Sequence, residues 1–126
     1  MEPSYSPAVV EHFERPRNGG HFAAGEGVVQ AAAGSIAQGT VFALSARIAD
    51  DRIEAVRFEV YGCPHCIAAG SWLSERLVGL TRSELRAWRW RDADQELQFP
   101  KEKRGRLLIL EDAVHALGEA WGRLIP

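Results

Sequence analysis

The chain has 126 residues, 46% of them apolar and 25% charged, with a formal charge of −2. That length fits a single domain over residues 1–126 with a core that needs no staples, and the near-neutral balance gives no overall attraction to nucleic acid or to an anionic membrane. No apolar run approaches the ~20 residues of a transmembrane helix, and the start, Met1-Glu2-Pro3-Ser4, lacks the basic and apolar regions of a secretory signal, so a cytoplasmic protein is expected.

In chain order, Val9 to Phe13 carry a short helix, closed by Pro16 and by the turn residues Asn18, Gly19 and Gly20. The small-residue stretch Ala31 to Gly39 reads as a strand plus loop. Phe42, Leu44, Ala46 and Ile48 alternate with polar or small residues, as do Val56, Phe58 and Val60, and Asp50-Asp51 separates the two runs, which predicts an antiparallel hairpin. From Cys66 onward Ala69, Leu73, Leu77 and Leu80 recur at helical spacing, with Gly79 as a stop. Thr81 and Glu84 make a capping box for a second helix covering Leu85 and Trp88. Pro100 and Gly105 interrupt the chain, and Leu107, Leu110, Val114, Leu117, Trp121 and Leu124 form the apolar stripe of a last helix. Strands first and helices afterwards give an α+β domain.

Both cysteines lie in Tyr61-Gly62-Cys63-Pro64-His65-Cys66, where the second hairpin strand hands over to a helix. A thiol at a helix N-terminus meets unpaired N–H groups and the positive end of the macrodipole, which favour its thiolate. If Cys63 begins the helix, Cys66 at i+3 shares its face with Cα atoms about 5 Å apart, so either a disulfide or a two-thiolate chelate is feasible. His65 points roughly 200° around the helix from Cys63 and is expected to tune the charge of the pair rather than to ligate. The two sulfurs are expected to share an exposed, electropositive edge.

Several strings then resemble one family. Tyr5-Ser6 followed by His12-Phe13-Glu14-Arg15-Pro16-Arg17-Asn18, Arg57-Phe58 with Tyr61-Gly62-Cys63, and Leu110-Glu111-Asp112-Ala113 stand in order over nearly the whole chain, and together they resemble the iron-sulfur cluster scaffold family, the NifU N-terminal or IscU-like proteins. The resemblance implies a SufE/NifU-type fold, a three-stranded antiparallel sheet with helices packed on one face. It also implies a transient iron-sulfur cluster as cargo, of the 2Fe-2S kind, a cysteine desulfurase as sulfur donor and iron-sulfur acceptor proteins as recipients. Of the three cysteines and one aspartate that surround the cluster site in that family, only Cys63 is matched. Gln38 falls at the first cysteine, Thr40 at the aspartate and Arg106 at the third cysteine, while Cys66 is gained, and the family's chaperone motif is reduced to Phe99-Pro100-Lys101-Glu102-Lys103.

Zinc and iron-sulfur sites usually take four protein ligands, and two thiolates are half a set. The remainder would come from Gln38, His12, His21 or His115, or from the same motif of a second subunit in a homodimer. The plainer reading makes His12 and His21 solvated loop residues and His115 a surface residue. Arg106, at the position the resemblance gives it, would bring positive charge toward Cys63 and so favour thiol or persulfide chemistry over tight metal binding. The string Arg86-Ala87-Trp88-Arg89-Trp90-Arg91 has the composition of a stacking surface for nucleic acid, but Trp88 continues an apolar face and is expected in the core.

The leading expectation is a divergent iron-sulfur cluster scaffold-like protein, a scaffold or carrier rather than an enzyme, binding iron and sulfur through Cys63 and Cys66. The alternatives are thiol-disulfide or persulfide exchange, with Cys63 as nucleophile, Cys66 as resolving thiol and His65 modulating the first pKa, and a zinc-binding or non-catalytic interaction module holding zinc or no group at all.

Overall fold

The computed structural model describes residues 5–124; the Met1–Ser4 start, read above as lacking a signal pattern, lies outside them. Ser6 opens the first helix, α1 (Pro7–Glu14), its hydroxyl accepting the Val9 N–H at 3.2 Å with proline at the first helical position. The helix is longer at both ends than the Val9 to Phe13 expected, because this Ser-Pro start is itself a helix signal.

Three strands follow, β1 (Val28–Ser35), β2 (Thr40–Ala49) and β3 (Arg52–Tyr61), paired antiparallel in the order β1-β2-β3. The first strand begins three residues before the small-residue stretch that announced it, at Val28, since Val28 and Val29 pair with Arg47 and Ala46. Asp50 and Asp51 form the two-residue hairpin turn between β2 and β3, both at positive φ (54° and 61°), as a right-twisted hairpin requires.

Beyond β3 come α2 (Pro64–Arg76), α3 (Arg82–Arg86), α4 (Trp90–Leu97), a 3-10 turn (Lys101–Lys103) and α5 (Gly105–Gly122). The capping box at Thr81 and Glu84 forms with both of its bonds, but the helix it opens ends at Arg86, so it carries Leu85 and not the Trp88 it was expected to cover. Helix α2 stops short of the expected Leu80, with Leu77 as its C-cap and Gly79 at φ 89°; the Leu80 carbonyl instead accepts the Ile53 N–H at 2.9 Å, which ties this turn to β3. Likewise Leu124 lies past the end of α5 and is exposed rather than part of its stripe. Helix α4 was not expected from the sequence, although Trp90, Ala93 and Leu97 stand at helical spacing; the Glu111 carboxylate accepts the Trp90 N–H at its first turn (2.9 Å).

The inward face of the sheet, Val29, Phe42, Leu44, Ala46, Val56 and Phe58, packs against α2 and α5 in one hydrophobic core with Leu73, Leu77, Leu107, Leu110, Val114 and Leu117. This is the expected α+β architecture, a three-stranded antiparallel sheet with its helices on one face. Trp88 is buried, as its apolar periodicity indicated. The close approach of α2 to β3 depends on Gly70, where an added Cβ would lie 2.4 Å from the Phe58 ring. Among the described residues no helix is long and apolar enough to cross a membrane.

Candidate functional site

Strand β3 ends at Tyr61, and the chain turns through Gly62 to Cys63, which is the N-cap of α2 in extended conformation (φ −81°, ψ 173°) with Pro64 at the first helical position. Proline there needs no N–H partner and sets the φ of the first turn, so the strand-to-helix junction is rigid where the thiol is presented. Cys63 is half-buried, Cys66 is fully buried, and both are free thiols with their sulfurs 3.8 Å apart. The expected common edge is therefore corrected. Cys66 continues the stripe of Ala69, Leu73 and Leu77 that α2 turns into the core, so its sulfur lies behind that of Cys63 instead of beside it. The pair nevertheless faces inward on itself, as the i,i+3 spacing indicated.

The space for the second sulfur is made by Gly62, where an added Cβ would stand 2.9 Å from Cys66 Sγ. Thr40, the buried first residue of β2, brings its hydroxyl within 3.9 Å of the same sulfur. Because the Cys66 proton is directed at Cys63, the Thr40 O–H is the donor of that contact. The result is a short relay in which Thr40 donates to Cys66 and Cys66 donates to Cys63.

This arrangement separates the two thiols in acidity. Cys63 is drawn down to about 4, chiefly because the Cys66 thiol donates to it; partial burial opposes the shift, and the neighbouring N–H groups of Cys66 and His65 and the charge of Lys103 reinforce it. The Cys63 sulfur makes no side-chain capping hydrogen bond of ordinary geometry, so the sulfur partner and the helix terminus do this together. Cys66 is pushed in the opposite direction by donating to the Cys63 anion and by burial, against a smaller opposing effect of Thr40. At neutral pH the site holds one thiolate at its mouth and one thiol behind it.

The other residues singled out in the sequence fall in different places. His65 is 3% exposed, its ring packed between Tyr5 (centroids 4.8 Å) and Phe99 (4.9 Å), with Nε2 buried and unpartnered among the described residues. It reaches Cys63 through its backbone N–H. The cation whose field acts on Cys63 is Lys103, on the 3-10 turn, where Arg106 had been expected. Arg106 sits on the first turn of α5, half-buried, its Nε without a hydrogen-bond partner among the described residues. Gln38 is exposed in the β1-β2 turn, its backbone N–H donating to Ser35.

His12 is not a loop residue. It lies on α1 with Nδ1 2.8 Å from the buried Ser71 hydroxyl of α2, and burial followed by the charge of Arg17 lowers its pKa. His21 is an exposed loop residue, as expected, 3.4 Å from Glu59. His115 is half-buried rather than free on the surface, its Nε2 2.8 Å from the Trp88 carbonyl oxygen. No group of three or more His, Cys, Asp or Glu side chains able to hold a metal ion forms among the described residues. The donor set of the described residues therefore does not fit a resident zinc or a four-ligand cluster.

Thr40, which the resemblance placed at the aspartate position, and Gly62 and Lys103, which stood in the strings quoted above, show how they act on the sulfurs only in three dimensions. Lys103 was visible as part of the Phe99 to Lys103 string, whereas the contact of Thr40 with Cys66 spans 26 residues of chain and depends on sheet register.

Comparison with known proteins completes the picture. Residues 4–120 match the model of the NifU-like N terminal domain. The chain is 36% identical over 115 residues to the iron-sulfur cluster assembly scaffold protein IscU of Escherichia coli K12, covering 90% of each protein. It is 34% identical over 116 residues to the iron-sulfur cluster assembly protein IscU of Plasmodium falciparum, covering 90% of this chain and 72% of that one. In three dimensions it is similar to the crystal structure of a NifU-like protein (N-terminal) from Brucella abortus, with a TM-score of 0.69 at 20% identity over 94% of both chains, a likeness of fold.

Proposed function

Because the chain belongs to the NifU-like N-terminal domain family, we propose that it works in iron-sulfur cluster assembly as a scaffold-type protein that takes up sulfur on Cys63, with Cys66 as the second sulfur of the site. The observation that carries this reading is the Cys63 sulfur, half exposed at the N-terminus of α2 and 3.8 Å from the Cys66 thiol that donates to it. A thiolate so placed attacks electrophilic sulfur and binds iron. The relatives named as assembly scaffolds supply the setting.

In this reading the sulfur donor is a cysteine desulfurase, the recipients are iron-sulfur acceptor proteins, and the setting is cytoplasmic. Cys63 is the entry point, since Cys66 has no surface of its own. Thr40 and Lys103 favour negative charge on the sulfurs, and His65 supports Cys63 through the first turn of α2 that it helps to pack. Of the pair only Cys63 reaches the surface, so a cluster needs ligands beyond it, and cluster cargo is expected together with donors from a second copy.

The test is iron and acid-labile sulfide analysis of protein purified anaerobically after incubation with ferrous iron, cysteine and a cysteine desulfurase, with a free-thiol count on the same sample. Bound sulfur that disappears in Cys63→Ser supports the proposal. A natural chain that shows neither more bound sulfur nor a larger loss of free thiols than Cys63→Ser overturns it.

A second reading, exchange of disulfides or persulfides, is favoured by the same 3.8 Å approach of two unequal thiols. It makes the chain a catalyst only if the pair turns over with an external thiol. A non-catalytic interaction module has no observation of its own in its favour.

A further inference from the structure

Cys66 has no access to solvent, and the chain contains no third cysteine. The one sulfur it can reach is Cys63 Sγ, 3.8 Å away, little more than van der Waals contact and within a small side-chain rotation of a bond of about 2 Å. Cys63 is half-buried where Cys66 is fully buried, so of the two sulfurs it is the one that an incoming sulfur donor can meet. Gly62 leaves room for the Cys66 sulfur and Thr40 aims a hydroxyl at it. A cysteine needed only to fill the core requires neither arrangement.

We propose that Cys66 is the resolving thiol of this site, reducing a sulfur carried as a persulfide on Cys63 to sulfide and leaving a Cys63–Cys66 disulfide. This rests on the reading of Cys63 as sulfur acceptor and adds an activity to it. The Cys66 sulfur attacks Cys63 Sγ, the bond between the two cysteine sulfurs forms, and the bond from Cys63 Sγ to the outer sulfur breaks. The outer sulfur leaves with that electron pair and takes the Cys66 proton, so it departs as hydrogen sulfide. Cys66 is oxidised, the outer sulfur is reduced, and Cys63 Sγ exchanges one sulfur neighbour for the other. No outside reductant enters this step. Reopening the disulfide for a second round requires a dithiol reductant of the thioredoxin type.

Thr40 is a positioning residue in this scheme. Its hydroxyl supports negative charge on Cys66 as the proton leaves, in a place where no water reaches the sulfur. The chain thus turns delivered sulfur into sulfide, and Cys63 is free to bind iron again once the disulfide has been reduced.

The experiment uses the full chain, reduced and anaerobic, with inorganic polysulfide as the sulfur source, read by intact mass and by sulfide release. The natural chain is expected to lose two hydrogens, gain no lasting sulfur and release more sulfide than Cys66→Ser, which keeps one extra sulfur on Cys63. Cys66→Ala should behave as Cys66→Ser does, and Thr40→Val should slow the discharge by about tenfold, the effect of one lost hydrogen bond. A natural chain that holds its extra sulfur as long as the Cys66 variants do overturns the resolving role and leaves Cys63 as acceptor. Cys66 variants that gain no sulfur at all overturn the acceptor reading together with it.

Discussion

The Cys63 sulfur is negative at neutral pH because three influences converge on it: the thiol of Cys66, the open N–H groups of the first turn of α2 and the ammonium of Lys103. The first is the largest, so the acidity of Cys63 depends on a residue that solvent does not reach. The rate of Cys63 alkylation should accordingly stay flat from about pH 6 upward, where an ordinary thiol would climb toward a pKa near ~8.5. Replacing Cys66 with Ala should move the profile up toward that ordinary range, and a profile unchanged by the substitution would detach Cys63 from its partner. Gly62→Ala tests the same contact from the backbone side. An added methyl 2.9 Å from Cys66 Sγ pushes that sulfur off its line, and the Cys63 profile should again rise while circular dichroism shows the fold intact. The place of Cys63 was legible in the sequence, since a β-patterned run followed by Cys-Pro and an apolar helical period puts the thiol at a junction. The depth of Cys66 is also written there, in its spacing of three from Ala69 and seven from Leu73, which puts it on the core face of α2. The contact of Thr40 with Cys66 and the burial of His65 were not legible, because both depend on contacts between distant parts of the chain.

At the scale of elements, the site is only as firm as the docking of α2. Its far side is held by α1, through His12 and Ser71 and through the Arg17 N–H that donates to the same hydroxyl at 2.8 Å. His12 has a folded pKa below its ordinary 6.5 because burial and Arg17 oppose its charge. Protonation therefore favours the undocked state, so this contribution to stability is complete above pH 6.5 and is lost as pH falls through the lowered folded value. Urea unfolding followed against pH should show that loss, and His12→Asn, which keeps a hydrogen-bonding group near Ser71, should flatten it. A wild-type curve no steeper than that of the variant would contradict the account. The sheet side of α2 is set by Gly70 against Phe58. Gly70→Ala places a methyl 2.4 Å from the ring and should cost about 1–3 kcal/mol in denaturant unfolding, the usual range for overpacking. No measurable loss would mean that α2 and β3 are not packed as closely as described. The hairpin, α2, the capping box and most of α5 could be read from periodicity and caps. Helix α4 was overlooked because its charged face, Arg91, Asp92 and Glu96, masks a stripe of only three apolar residues.

Across the whole molecule, the family fold is present, and the resemblance implies a different set of groups at the edge where Cys63 stands. The positions where the resemblance implies further ligands hold an exposed glutamine, a buried threonine and a half-buried arginine, and the acquired Cys66 sits where it can act on Cys63 alone. A scaffold that holds its cluster on one chain needs more donors than this, whereas a scaffold that receives sulfur, reduces it and shares ligands with a second copy needs only what is present. On the proposal made above, the pair serves first as a place where sulfur arrives and changes oxidation state. The most direct test of that claim is anaerobic incubation with a cysteine desulfurase and radiosulfur-labelled cysteine. The Cys66→Ser chain should retain protein-bound label that a thiol reductant removes, and the double variant Cys63→Ser, Cys66→Ser should retain none. Equal labelling of the two variants, or labelling of neither, would contradict it.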